Sequence, residues 1–197
     1  MIKKILPLRR IEGATDEMSD DALVVACGMG ERAALGALFD RHHDAVRRFV
    51  ARLSGWADSD LDDLVQQTFV AVCEAARGFD GRAAVRTWLF GVARNVARHH
   101  VRAEVRRRRA SEAYARDPRT VTADAAGEVL ERERAARLGE AVVALPIKLR
   151  EAFVLVYLEG LAGTEVAALL GIREGALWKR LHEARARLRE QLQGGAS

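Results

Sequence analysis

The sequence predicts an all-α protein of two small helical domains. Three observations carry this. Apolar residues recur three and four apart along nearly the whole chain, and no strand-like alternation stands out. Only three prolines occur, Pro7, Pro118 and Pro146, and 110 residues rich in Ala, Leu, Arg and Val lie between the first two. The periodicity lapses in one internal stretch, around residues 110–125, which divides a longer first unit from a shorter second one.

The elements follow in order. Residues 1–18 lack periodicity and read as a tail. Ser19, Asp20 and Asp21 supply capping groups for a helix to about Cys27, and Gly28 and Gly30 break it. A second helix spans about 31–54, with Leu35, Leu38, Phe39, Val46, Phe49 and Val50 as its apolar stripe. Asp58 to Asp60 offer caps for a third helix over about 61–77, whose stripe is Leu61, Leu64, Val65, Phe69 and Val72. Gly78 and Gly81 bracket a short loop. A fourth helix covers about 85–109. The segment SEAYARDPRTVTAD is polar, aperiodic and contains a proline, so it reads as a linker. Helical character resumes near Ala125, and Pro146 sits at a first-turn position that proline tolerates. The domains expected are 19–109 and 128–192, joined by a linker over 110–127, with tails at 1–18 and 193–197.

Composition excludes several classes. The chain has 197 residues, 49% hydrophobic and 30% charged, which is enough apolar material for a core. No apolar run approaches the ~18 residues a membrane span needs. The basic start MIKKILPLRR is followed by IEGATDEMSDD, where a secretory signal needs an apolar stretch, so none is read and a cytoplasmic protein is expected. Cys27 and Cys73 are too few for a disulfide scaffold and read as small buried hydrophobes. Adjacent histidines on a helix point about 100° apart, so His42-His43 and His99-His100 predict no metal site. No paired carboxylates, phosphate loop, nucleophile triad or HExxH pattern occurs in a credible context, so neither an enzyme nor a cofactor is expected.

The net charge of +4 is mild, but its distribution is steep. From Arg82 to Arg109 there are nine Arg and one Glu, a net charge of +8, with Trp88 and Phe90 inside the run. Cations that track a backbone beside rings on which bases stack are what a nucleic-acid surface needs, a single-stranded one included. The bland alternative is that the rings are core and the arginines solvated; Trp88 reads as part core, part platform. Upstream, the helix carrying Asp62, Asp63, Gln66 and Gln67 has an acidic, polar outer face, either simply solvated or a docking face for a partner helix.

The carboxy-terminal segment TEVAALLGIREGALWKRLHEARARLREQL gives a second pattern. Thr164 can cap a short helix carrying Val166, Leu169 and Leu170. Gly171 can take a left-handed turn, and Ile172 can plug between helices. A second helix from about Glu174 carries Leu177, Leu181, Ala184 and Leu188 inward, leaving Trp178, Lys179, His182, Arg185 and Arg189 outward. This is a helix-turn-helix pattern, with a basic amphipathic hairpin as the plainer reading. From Arg173 to Glu190 six Lys/Arg face three Glu, the excess that phosphate neutralisation requires. Trp178 fits either packing or a DNA contact. Glu183 can accept from a cytosine amino group or pair with Lys179.

Together these motifs, DDLVQQTF (62–69), FDGRAAVRTWLFGVARN (79–95), ALPIKLREAFVLVYLEGL (144–161) and EVAALLGIREGALWKRLHEARARL (165–188), resemble the sigma-70 family. The resemblance is to its extracytoplasmic-function (ECF, group IV) sigma factors and spans about 19–109 and 128–192. It implies that the first domain is sigma region 2, with Asp62, Asp63, Leu64, Gln66, Gln67 and Phe69 as the helix that docks on the polymerase β′ clamp. It implies −10 recognition and melting by Arg82, Arg86, Thr87, Trp88, Arg94, Asn95 and Arg98. Capture of an extruded base would offset the cost of opening the duplex. The second domain is then sigma region 4, reading the −35 element through Trp178, Lys179, Arg180, His182 and Arg185. The partners implied are core RNA polymerase (β′ clamp and β flap), promoter DNA and an anti-sigma factor, with no membrane insertion. Gln67, Val85, Ala176, Trp178 and Glu183 differ from residues frequent in the family. A stand-alone helix-turn-helix regulator is the alternative; it would use the first domain for ligand or dimer contacts and would not need the charge change between 62–63 and 82–109.

Overall fold

The architecture is that of a computed structural model, which describes residues 15, 17–54, 58–110 and 129–194. Among these residues there are eight α-helices and no strand. They are α1 (Asp20–Gly28), α2 (Arg32–Ser54), α3 (Asp58–Ala75), α4 (Val85–Ala110), α5 (Val129–Ala144), α6 (Ile147–Phe153), α7 (Gly163–Leu170) and α8 (Glu174–Gly194). A 3-10 turn over Ala76–Gly78 follows α3, and a π-helical turn over Val154–Leu158 extends α6. The expected linker lies outside the described residues apart from Ala110, which closes α4.

Helices α1 to α4 form the first bundle because their apolar stripes face one another. Leu23, Leu38, Phe49, Leu64, Val72 and Phe90 are fully buried there. The Phe49 and Phe90 rings lie 4.6 Å apart at their centroids and Phe39 meets Phe69 edge-on at 4.9 Å, the geometries aromatic quadrupoles favour. Cys27 is buried and Cys73 half-buried. Burial pushes both thiols up, Cys27 to about 12, so they remain protonated and behave as small hydrophobes.

Ser19 caps α1, its Oγ accepting from the Ala22 amide at 3.2 Å. The segment just before it differs from the expected tail. Arg41 of α2 donates to the carbonyls of Met18 and Thr15 and to Asp20 Oδ1, and His42 Nε2 lies 2.7 Å from Asp20 Oδ2. His42 is therefore mostly buried rather than an ordinary surface histidine. Burial alone would raise the Asp20 carboxyl, but the hydrogen bonds and charges of Arg41 and His42 prevail and hold it below its usual range. A depressed folded-state pKa means stability that is present above the unfolded value of 3.8 and is lost as pH falls through the folded value. Asp20→Asn is thus expected to destabilise the bundle at neutral pH by about 1 kcal/mol or less, since the pair is a third exposed. The difference from the native chain should close in acid, as read by denaturant unfolding at a series of pH values.

Helices α5 to α8 build the second unit around Val142, Leu145, Val154, Leu155, Val166, Leu177, Leu181 and Ala184. Pro146 is the N-cap of α6, one place before the expected first turn, and its carbonyl accepts from Leu149 and Arg150. The cap of α7 is Ala162, not Thr164. Alanine has no side-chain acceptor, so only half a capping box forms: Glu165 Oε2 accepts from the Ala162 amide at 3.1 Å. Gly171 ends α7 at φ 65°, ψ 39°, the left-handed turn that glycine enters without steric cost. Ile172, half-buried, packs against the core beside it.

Candidate polymerase and nucleic-acid interfaces

On α3 the stripe Leu61, Leu64, Val65, Phe69 and Val72 faces inward, so the opposite face is left to solvent. Asp62, Asp63, Gln66 and Gln67 are exposed on it, and Val70 joins them at 61% exposure. Of the expected polymerase contacts, Leu64 and Phe69 are core; they hold the helix so that the other four project. Asp62 pairs with Arg47 of α2 at 3.2 Å. The exposed Val70 was not singled out in the sequence. It adds one exposed apolar side chain, a turn along from Gln66 and Gln67, to an otherwise polar face.

The loop before α4 turns at Gly81, φ 69°. Asp80 Oδ1 accepts from the Arg82 amide at 3.1 Å, and the exposed Arg82 guanidinium pairs with Asp80 at 3.3 Å. Trp88 is half-buried and packs on Phe79 with centroids 5.1 Å apart, so it is in part core. Asn95 is exposed. The remaining expected −10 residues face the second domain. Arg86 reaches Glu159 at 3.1 Å and lies over the Phe90 ring at 5.1 Å. Thr87 is buried, its hydroxyl 3.4 Å from Glu165 Oε1. Arg94 and Arg98 approach Glu151 at 3.2 and 2.6 Å.

Sequence reasoning missed the acidic side of this contact. Glu151 is fully buried, and the Glu159 side chain is 2% exposed and also paired with Arg52 at 2.6 Å. Arg150 stitches the same seam, donating to the carbonyls of Leu53, Val143 and Leu145. Burial pulls its guanidinium below the usual range while Glu151 opposes this. The available signal was the placement of Glu151 and Glu159 at either end of the apolar run AFVLVYL, where a solvated carboxylate is not expected.

On α8, Leu177, Leu181, Ala184 and Leu188 are buried, so Trp178, Lys179, His182 and Arg185 are exposed on the outer face and Arg180 is half-buried. Arg185 lies 6.0 Å from the Tyr157 ring centroid. Glu183 pairs with Arg187 at 2.9 Å rather than with Lys179. Trp178 packs in part: half its surface is exposed, while its edge covers Gly163 at the start of α7. A Cβ on residue 163 would stand 3.1 Å from the indole. Gly163→Ala should therefore tilt Trp178 and shift its indole N–H resonance in NMR spectra. Stability should change by less than about 1 kcal/mol, since a better helix former offsets the crowding.

Two family models match the chain: Sigma-70 region 2 over residues 38–107 and Sigma-70, region 4 over residues 135–188. The chain belongs to the ECF sigma factors of the sigma-70 family. It is 32% identical over 176 residues to the ECF RNA polymerase sigma factor SigM of Mycobacterium tuberculosis, covering 89% of this chain and 86% of that protein. It is 33% identical over 182 residues to the RNA polymerase sigma factor NccH of Alcaligenes xylosoxydans xylosoxydans, covering 91% and 97%. Among solved structures it is similar to CnrH in complex with the cytosolic domain of CnrY, with TM-score 0.63 and 31% identity over 90% of this chain and 99% of that one. It is also similar to RpoE in complex with the anti-sigma factor NepR from Bartonella quintana, with TM-score 0.68 and 25% identity over 79% and 94%. Helices α1 to α4 thus contain region 2 and α5 to α8 region 4 of a promoter-directing sigma factor. Among the described residues no helix is long and apolar enough to cross a membrane.

Proposed function

We propose that this sigma factor binds core RNA polymerase in the cytoplasm through the α3 face, with Asp62, Asp63, Gln66 and Gln67 on the β′ clamp. Leu64 and Phe69 act from beneath as positioning residues. Arg82, Arg86, Thr87, Trp88, Arg94, Asn95 and Arg98 then engage and help melt the −10 element. Region 4 reads the −35 element with Trp178, Lys179, Arg180, His182 and Arg185 and contacts the β flap. The domain limits proposed are 19–109 and 128–192, with 110–127 as the linker that replaces the larger middle regions of primary sigma factors. The chain performs no covalent chemistry itself. An anti-sigma factor is proposed to hold it inactive, a reading supported by its likeness to sigma factors solved in such complexes.

The observation that carries this reading is one chain with an exposed acidic face on α3, an exposed basic, aromatic face on α8 and an Arg-rich α4 between them. A stand-alone regulator accounts for α8 and could use the first domain for ligand or dimer contacts, but it does not need the charge change between residues 62–63 and 82–109. Run-off transcription with purified bacterial core polymerase on genomic promoter fragments tests it. Promoter-specific transcripts should appear only when the protein is added. Tight binding to a defined DNA site without polymerase, and no transcript with it, would instead establish the regulator.

A further inference from the structure

Glu183 is an acidic residue on the outer face of the helix that is proposed to enter the major groove, and the function proposed above gives it no part. Ala176, Lys179 and Glu183 are all exposed and lie three and four residues apart, so they form one line along α8. The leading end of this line is small. Gly175 has open space where a side chain would begin, and Ala176 adds only a methyl group. It is the N-terminal part of such a helix that meets base edges, and small residues there let its backbone come close.

Glu183 does not pair along this line. Arg187, one turn further on, donates from Nε at 3.2 Å and from Nη2 at 2.9 Å, and both bonds fall on Oε1. The carboxylate is held in place and its charge is offset, while Oε2 is not taken up by the pair. The Glu183 side chain stays 52% exposed.

We propose that Glu183 reads a cytosine in the −35 element, with Arg187 as its positioning residue. This rests on the assignment of the α8 face to that element. An ionised carboxylate only accepts hydrogen bonds. In the major groove cytosine offers its N4 amino group, a donor with no acceptor beside it on the same base. Guanine presents N7 and O6 and thymine presents O4, all acceptors, which repel a carboxylate. Adenine pairs a donor at N6 with an acceptor at N7, so it ranks second. The phosphates that flank the groove would repel a bare carboxylate as well. The Arg187 pair lowers that cost and lets an acidic residue stand among Lys179, His182 and Arg185. A plain surface ion pair between Glu183 and Arg187 would carry no base preference, and that difference is measurable.

Promoter selection tests it. Polymerase holoenzyme assembled with the native chain is given promoter DNA with a randomised −35 element, and the bound molecules are sequenced. The native chain should enrich a C·G pair at one position. Glu183→Ala should cut the preference for that pair by roughly tenfold, the scale of one direct base contact, and leave the other positions unchanged. Glu183→Gln should turn the preference at the same position toward A·T, because a glutamine amide accepts from adenine N6 and donates to N7. Arg187→Ala should also weaken the preference at that position, whereas loss of a phosphate contact would weaken binding to all sequences alike. Both side chains are exposed, so the variants keep the helical fold. The proposal is overturned if Glu183→Ala retains every preference of the native chain, or changes the affinity for all sequences by one common factor. A native selection with no position that prefers C·G overturns it too. A holoenzyme that transcribes but enriches no sequence at all in the randomised element would remove the −35 assignment of α8 itself, and the cytosine contact with it.

Discussion

Asp62→Lys/Asp63→Lys is expected to reduce run-off transcription by roughly 100-fold or more, the scale of losing interface hot spots and reversing the charge of a docking face. Both side chains are exposed on α3, opposite a stripe that is fully packed. The substitutions therefore leave the bundle intact. Losing the Asp62 pair with Arg47 matters little to stability, because exposed ion pairs contribute at most about 1 kcal/mol. Circular dichroism and unfolding midpoints should match those of the native chain, while co-elution with core polymerase is lost. Retained transcription would move the polymerase contact off this helix.

Phe90→Ala is expected to cost the first bundle about 3–5 kcal/mol, the range for truncating a buried aromatic that its neighbours cannot replace. Phe90 is fully buried against Phe49, with the Arg86 guanidinium over its ring. Its loss empties the junction of α2 and α4 and removes the platform that holds Arg86 toward Glu159. With net stabilities of about 5–15 kcal/mol for whole domains, region 2 would unfold near physiological temperature. Region 4 has buried residues of its own, Leu155, Leu177 and Leu181 among them. Denaturant unfolding followed at both regions should show the first transition moving and the second nearly fixed. Coincident movement of both would mean that the seam couples them into one cooperative unit.

Much of the molecule was legible one element at a time. The helix stripes, the Ser19 cap, the Gly171 turn and the outward basic face of α8 follow from local rules, because a helix's faces are set by its own periodicity. The same periodicity left the acidic face of α3 outside the core. The charge contrast between Asp62-Asp63 and residues 82–109 needs no coordinates, since it is a property of order along the chain.

Tertiary structure decided the rest, and each case involves partners far apart in sequence. That Thr87 and Arg94 are buried depends on α6 and α7 lying over α4, about which neither residue's neighbours carry information. Glu151 resembles any helical glutamate until Arg94 and Arg98 arrive beside it. Trp178 is shared between solvent and packing because Gly163, on another helix, has no side chain to exclude it. Arg41 anchors Thr15 and Met18 across a helix turn-around. Local sequence determined which faces exist and their charge. Only packing determined which faces meet, because burial of a charge depends on distant atoms and not on the residue that carries it.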